Sequence, residues 1–153
     1  MSRRTLIRVM IVLAVLGLGD ATYLTIVHYG HLTVACVNSH NGHSSCQTVQ
    51  NSKYSTIGGV PVALLGLIGY IGIVGSLVVR EREWTRLATL ALTLFGFGFS
   101  AFLTWQETFT IPGHPIYCEW CVASAIILTV LLGLSLYRYL SPAGPSQPPV
   151  SPR

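Results

Sequence analysis

The sequence holds four cysteines in two close pairs, Cys36 with Cys46 and Cys118 with Cys121. Thiolates are nucleophiles and metal ligands, and a pair of thiols can release two electrons by closing a disulfide. Three chemistries follow: zinc binding, a fixed bridge, or a dithiol that makes and breaks one. The first pair brackets "CVNSHNGHSSC", so Cys36, His40, His43 and Cys46 form a candidate set of four zinc ligands. The second pair reads "YCEWC". A C-x-x-C that opens a helix puts both sulfurs on one face a turn apart, close enough to bond with little distortion. The helix N-terminus steadies a thiolate through its unpaired N–H groups and its dipole. Such a thiolate attacks a disulfide readily and leaves readily in the reverse step. Half of a zinc site has the same spacing.

The elements that carry these cysteines decide between the readings. Of 153 residues, 51% are hydrophobic and 9% charged, and the mean hydropathy is +0.59. A soluble domain carries about a quarter charged residues, so this is the composition of a membrane protein. Four stretches, about 5–28, 57–79, 87–105 and 116–139, are each long enough to cross a hydrocarbon core of about 30 Å as a helix. The first carries only Arg8 and Asp20, the second and third no charge, and the fourth only Glu119 and Arg138. The fold class expected is an all-α membrane protein, a four-transmembrane-helix bundle over residues 1–140. The first stretch is too long for an ordinary signal-peptide core and no clear small-x-small site follows it, so it reads as an uncleaved helix. Residues 141–153, rich in proline and serine, are expected to be disordered. Gly66, Gly69, Gly72 and Gly75 recur every third residue in the second stretch and predict a broad packing face of small residues. "FGFGFSAF" in the third stretch suggests the same, and Pro61 suits the first turn of the second helix.

The net charge of +4 raises a nucleic-acid partner, but the distribution argues against one. Every basic residue except Lys53 precedes or opens the first span, separates the second from the third, or follows the core of the fourth. That asymmetry places both termini in the cytoplasm and the loops 29–56 and 106–115 outside. All four cysteines then lie on the oxidising side, where disulfides persist. A dithiol at the bilayer edge needs an acceptor for two electrons, and a lipid-soluble quinone is the natural one. Asp20 falls about two or three turns inside the first span, where an ionised carboxylate is costly. It reads either as a proton relay or polar contact near a cofactor pocket, or as a hydrogen-bonded tie within the bundle. Trp105, Tyr117 and Trp120 fit an outer aromatic belt, and Tyr117 and Trp120 could also line a quinone pocket. His40 and His43 read as solvated loop residues or as cations that activate Cys46. His28, His31 and His114 near the outer surface say little.

With "C-x9-C" in the first outer loop, "CQTVQNSKYSTIGGVPVALLG" carrying Ser52, and "CEWC" opening the fourth span, the chain resembles the vitamin K epoxide reductase family, in particular its bacterial members. The resemblance runs from the first span to the fourth. It implies that Cys118 and Cys121 are the active-site pair beside a quinone, ubiquinone or menaquinone, and that Cys121 exchanges electrons with it. Cys36 and Cys46 would be the shuttle pair, with Cys46 bonding transiently to Cys118, and Ser52 would assist the quinone step. Asp20, Trp120 and Tyr117 would join Cys121 and Ser52 around the quinone. Ala125 stands where vertebrate members carry a tyrosine, which weakens any case for epoxide reduction. No thioredoxin-like domain occurs within these residues, so the implied partner is a DsbA-type thioredoxin-fold protein in trans. The location implied is the bacterial inner membrane. Three other readings stand beside it: a DsbB-type oxidase, whose C-x-x-C belongs in its first outer loop; a zinc-binding or metal-transport membrane protein using Cys36, His40, His43 and Cys46; and a structural protein with two inert disulfides.

Overall fold

The computed structural model describes residues 2–32, 39–40, 43–44, 56–57, 59–79, 82–110 and 118–141. Four helices dominate them: α1 (Arg3–Gly30), α2 (Val62–Val78), α3 (Glu83–Thr110) and α4 (Glu119–Leu140). Two antiparallel pairs of two-residue strands lie between α1 and α2: β1 (Ser39–His40) with β2 (His43–Ser44), and β3 (Thr56–Ile57) with β4 (Val60–Pro61). α1, α3 and α4 are long and apolar enough to cross a membrane, while α2 is a shorter apolar helix of 17 residues. The expected tail, 141–153, lies outside the described residues beyond Ser141.

The second helix starts later than the sequence suggests. Thr56 pairs with Pro61 and Ile57 with Val60, so the residues expected to open the span form a hairpin instead. Gly59 takes a φ of +83°, left-handed backbone open to glycine at no steric cost. Pro61 is the residue before α2, extended at φ −61° and ψ 134°, rather than inside its first turn. α3 in turn starts before the uncharged stretch and outruns it. Its start at Glu83 is braced by Thr85, whose Oγ1 accepts from the Arg82 N–H at 3.0 Å and donates to the Arg82 carbonyl at 2.8 Å. Glu83 in the first turn complements the helix dipole.

The helices form a ring in which α1 packs on α2 and α4, and α3 packs on the same two. α1 buries Leu6, Met10, Ala14, Gly17, Ala21, Leu24 and Val27, one stripe at helical spacing. Gly66 lies against Ala21 and the Tyr70 ring against Gly17, a pairing that makes α1 and α2 antiparallel. Ser76 Oγ meets Thr89 Oγ1 at 2.8 Å and Gly72 faces Leu92, so α2 and α3 are antiparallel too. Thr89 and Thr93 are buried, and each hydroxyl also donates to its own helix four residues back. The four α2 glycines do not share one face. Gly66 meets α1 and Gly72 meets α3, while Gly69 and Gly75 meet nothing among the described residues. A three-residue repeat falls short of the 3.6-residue turn, so the glycines drift around the helix. The main core joins Leu6, Met10 and Ala14 of α1 with Ile73 and Leu77 of α2 and Leu128 and Leu131 of α4.

Candidate redox site at the Cys118 end of the bundle

Cys118 is the residue that caps the start of α4. Its backbone is extended, φ −80° and ψ 116°, and its carbonyl accepts the Val122 N–H at 3.0 Å. Cys121 is then the third residue of the helix, so the pair straddles the first turn where backbone N–H groups lack helical partners. Their surroundings differ. Cys118 is only 1% exposed and packs with Leu24 and Val27 of α1, whereas Cys121 is half-buried against the rim of that cluster. Ala63 at the start of α2 touches the cluster as well, so three helices converge on the pair. Trp120, between the cysteines, tilts against Tyr23 of α1 with ring centroids 4.9 Å apart and planes at 44°. That contact fastens the start of α4 to α1 through two large amphipathic rings.

One turn deeper the lining becomes polar. Ser124 follows Cys121 by three residues and so shares its helix face. Its Oγ lies 2.9 Å from the Tyr70 hydroxyl, which also donates to the Ser124 carbonyl at 3.3 Å. Tyr70, 2% exposed, reaches from α2 across the bundle to α4. It can do so because Gly17 has no side chain: a Cβ there would collide with the Tyr70 ring. Asp20 lies one turn from Gly17 on α1. Both of its carboxyl oxygens are buried, and neither has a hydrogen-bond partner among the described residues.

The structure thus gathers Cys118, Cys121 and Trp120 at one end and sets Asp20 deeper in the same bundle. Cys36, Cys46, Ser52 and Tyr117 lie outside the described residues, as does most of the loop between the first cysteine pair. Of the histidines in that loop, the backbone pairs His40 with His43. Asn41–Gly42 between them is the dipeptide most favoured in two-residue hairpins. Among the described residues no group of three or more His, Cys, Asp and Glu is placed to hold a metal ion. Tyr23, Gly17, Tyr70 and Ser124 escaped the sequence reading. The run of small residues Ala14, Gly17 and Ala21 at three- and four-residue spacing was the available signal for a helix contact. Nothing local marks Tyr70 or Ser124, because their meeting depends on how α2 and α4 pack.

The family model described as the vitamin K epoxide reductase family matches residues 8–136, most of the chain and all four helices in whole or in large part. The search of curated proteins returned no match.

Proposed function

The chain belongs to the vitamin K epoxide reductase family, membrane thiol–disulfide oxidoreductases, and from that premise we propose that it is a thiol:quinone oxidoreductase that reoxidises a secreted thioredoxin-fold dithiol protein of DsbA type. The observation that carries the reading is the Cys118–Cys121 pair. Two cysteines sit at the first turn of an apolar helix, one buried against α1 and the other half-buried. A helix start favours the thiolate that exchange needs.

The residues around the pair suit a flat, apolar ring that bears carbonyl oxygens. Trp120 and Tyr23 offer aromatic surface, Leu24 and Val27 exclude water, and the Tyr70 and Ser124 hydroxyls lie a turn beyond. A bound quinone supplies an acceptor for two electrons and two protons. In this reading Cys121 is the sulfur nearest that ring, and Ser52, Trp120, Tyr117 and Asp20 surround it. Cys36 and Cys46 receive electrons from the partner, and Cys46 passes them to Cys118. Because Cys118 packs with Leu24 and Val27, exchange with Cys46 requires its sulfur to part from α1. The net change is partner dithiol plus quinone giving partner disulfide plus hydroquinone. Supporting disulfide formation in this way calls for four spans, both termini in the cytoplasm and the cysteines outside. α2, at 17 residues, is at the short limit of about 17–25 for a span.

The test is direct. Purified protein in lipid nanodiscs, given a reduced thioredoxin-fold protein, should reduce added ubiquinone or menaquinone, and Cys118→Ala or Cys121→Ala should abolish it. Undiminished turnover in the Cys121→Ala protein would remove the proposal. The pairing of His40 with His43 favours one second reading, zinc held with Cys36 and Cys46. It requires stoichiometric zinc on the purified chain and free thiols there only after chelation.

A further inference from the structure

The end of the bundle away from Cys118 and Cys121 gathers a second set of charged and polar groups. There α3 and α4 run antiparallel, with Leu128 packed beside Gly96. Seven residues from that contact toward the bundle end lie Thr89 on α3 and Ser135 on α4. Ten residues, about 15 Å at the helical rise, bring Arg86 and Arg138 to one level. Counted in the same way from the packing of Leu24 on Cys118, Arg4 of α1 reaches the level of Arg138. Three helices therefore each carry an arginine at one depth, and Arg3, Arg8 and Arg82 belong to the same end. Among the described residues, Glu83 is the only acid there. Arg138 is 4% exposed, a guanidinium held within the mouth of the bundle. Ser135 precedes it by one turn on the same buried stripe, and its Oγ has no hydrogen-bond partner among the described residues. By contrast, the buried hydroxyls of Thr89 and Thr93 each donate to a carbonyl of their own helix.

We propose that this end of the bundle binds the phosphate headgroup of an anionic phospholipid. A guanidinium presents its N–H donors in a fixed fork that matches two phosphate oxygens. Arg138 and Arg86 hold the phosphate, and Ser135 donates to it from one turn deeper. The exposed Arg3, Arg4 and Arg8 add attraction to an anionic surface. Depth favours a lipid over free phosphate as the occupant. Trp84 is 81% exposed, and Tyr137 and Tyr139 are exposed on either side of Arg138. Such rings settle where hydrocarbon meets headgroup, so the arginines lie at the depth of lipid phosphates. Val78, Leu87 and Leu136 continue the exposed surface with apolar side chains that acyl chains can cover. The inference needs only a bundle that sits in a membrane, and it is independent of the thiol:quinone reading.

The test is retention of lipid by the full chain. Native mass spectrometry of protein released from nanodiscs of cardiolipin and phosphatidylcholine in equal parts should show one cardiolipin held in preference to phosphatidylcholine. Arg138→Gln and Arg86→Gln should each lower that retention by about fivefold, the weight of one arginine near an anionic surface. Arg82→Gln, exposed and ahead of α3, should lower it less. Equal retention of the two lipids would overturn the site. So would an equal loss in Arg82→Gln, which would mark a diffuse charge rather than a built pocket. Arg86 is only half-buried, so Arg86→Gln carries the test in the event that Arg138→Gln does not fold. A second arm separates lipid from free phosphate. Cardiolipin should raise the unfolding temperature of the unaltered chain in micelles, and inorganic phosphate should not. Equal stabilisation by inorganic phosphate would overturn the lipid as the occupant.

Discussion

Cys118 and Cys121 are separated by one helical turn and yet meet different surroundings, and this difference sets their reactivity. Cys118 is 1% exposed under Leu24 and Val27, and Cys121 stands half-exposed beside Trp120. A small neutral alkylating reagent such as N-ethylmaleimide should therefore modify Cys121 first in the reduced protein, with Cys118 reacting only as α4 unseats. Peptide mass spectrometry over a time course reads the order, and faster labelling of Cys118 would show that the covered state is not the resting one. The pair itself was legible in the sequence, since C-x-x-C before an apolar run announces a helix start. The unequal burial was not, because it depends on α1 residues almost a hundred positions away. The same is true of Tyr23, which gives Trp120 its partner. Asp20 was legible as an anomaly, a carboxylate inside an apolar span; the Tyr70–Ser124 contact came only with the packing of α2 and α4.

At the scale of the helices, glycine reports what each face touches. A Cβ at Gly96 on α3 would lie 3.0 Å from the Leu128 Cδ2 on α4, and one at Gly17 would drive into the Tyr70 ring. A Cβ at Gly69 or Gly75 on α2 would meet nothing within 4 Å among the described residues. Gly17→Ala should cost about 1–3 kcal/mol, the usual penalty of forcing extra volume into a packed core, and Gly96→Ala about 1 kcal/mol because Leu128 can yield. Gly69→Ala and Gly75→Ala should be neutral, or gain up to about 1 kcal/mol from the better helix propensity of alanine. Unfolding in mixed micelles measures all four, and a Gly69→Ala cost equal to that of Gly17→Ala would mean that another surface closes on α2. A repeat of glycine every third residue suggested a single seam, whereas the helical period distributes it over two neighbours and open space. Helix ends were misjudged for a related reason: hydropathy marks where lipid contact is possible, but Thr85, Pro61 and the β3–β4 hairpin set where the backbone bonds start.

For the molecule as a whole, the packing turns a linear charge pattern into a polarity. With α1 and α2 antiparallel, and α2 and α3 likewise, the start of α1, the α2–α3 connection and the end of α4 gather at one end of the bundle. Arg3, Arg4, Arg8, Arg82, Arg86 and Arg138 belong to that end, and Cys118, Cys121, Trp120 and Tyr23 to the other. Loops rich in arginine stay in the cytoplasm, so the cysteine end should face the oxidising side. A fluorescent reporter that matures only in the cytoplasm should therefore light up when fused after Ser141, and a phosphatase active only outside should work when fused after Leu32. The opposite pattern would put Cys118–Cys121 against the reducing thiol pool. There the disulfide would be removed as fast as it formed, and no secreted dithiol could deliver electrons to it. Orientation is thus the condition on which the direction of electron flow depends. The arginines expected to set it lie at the opposite end of the bundle from the sulfurs whose chemistry it would decide.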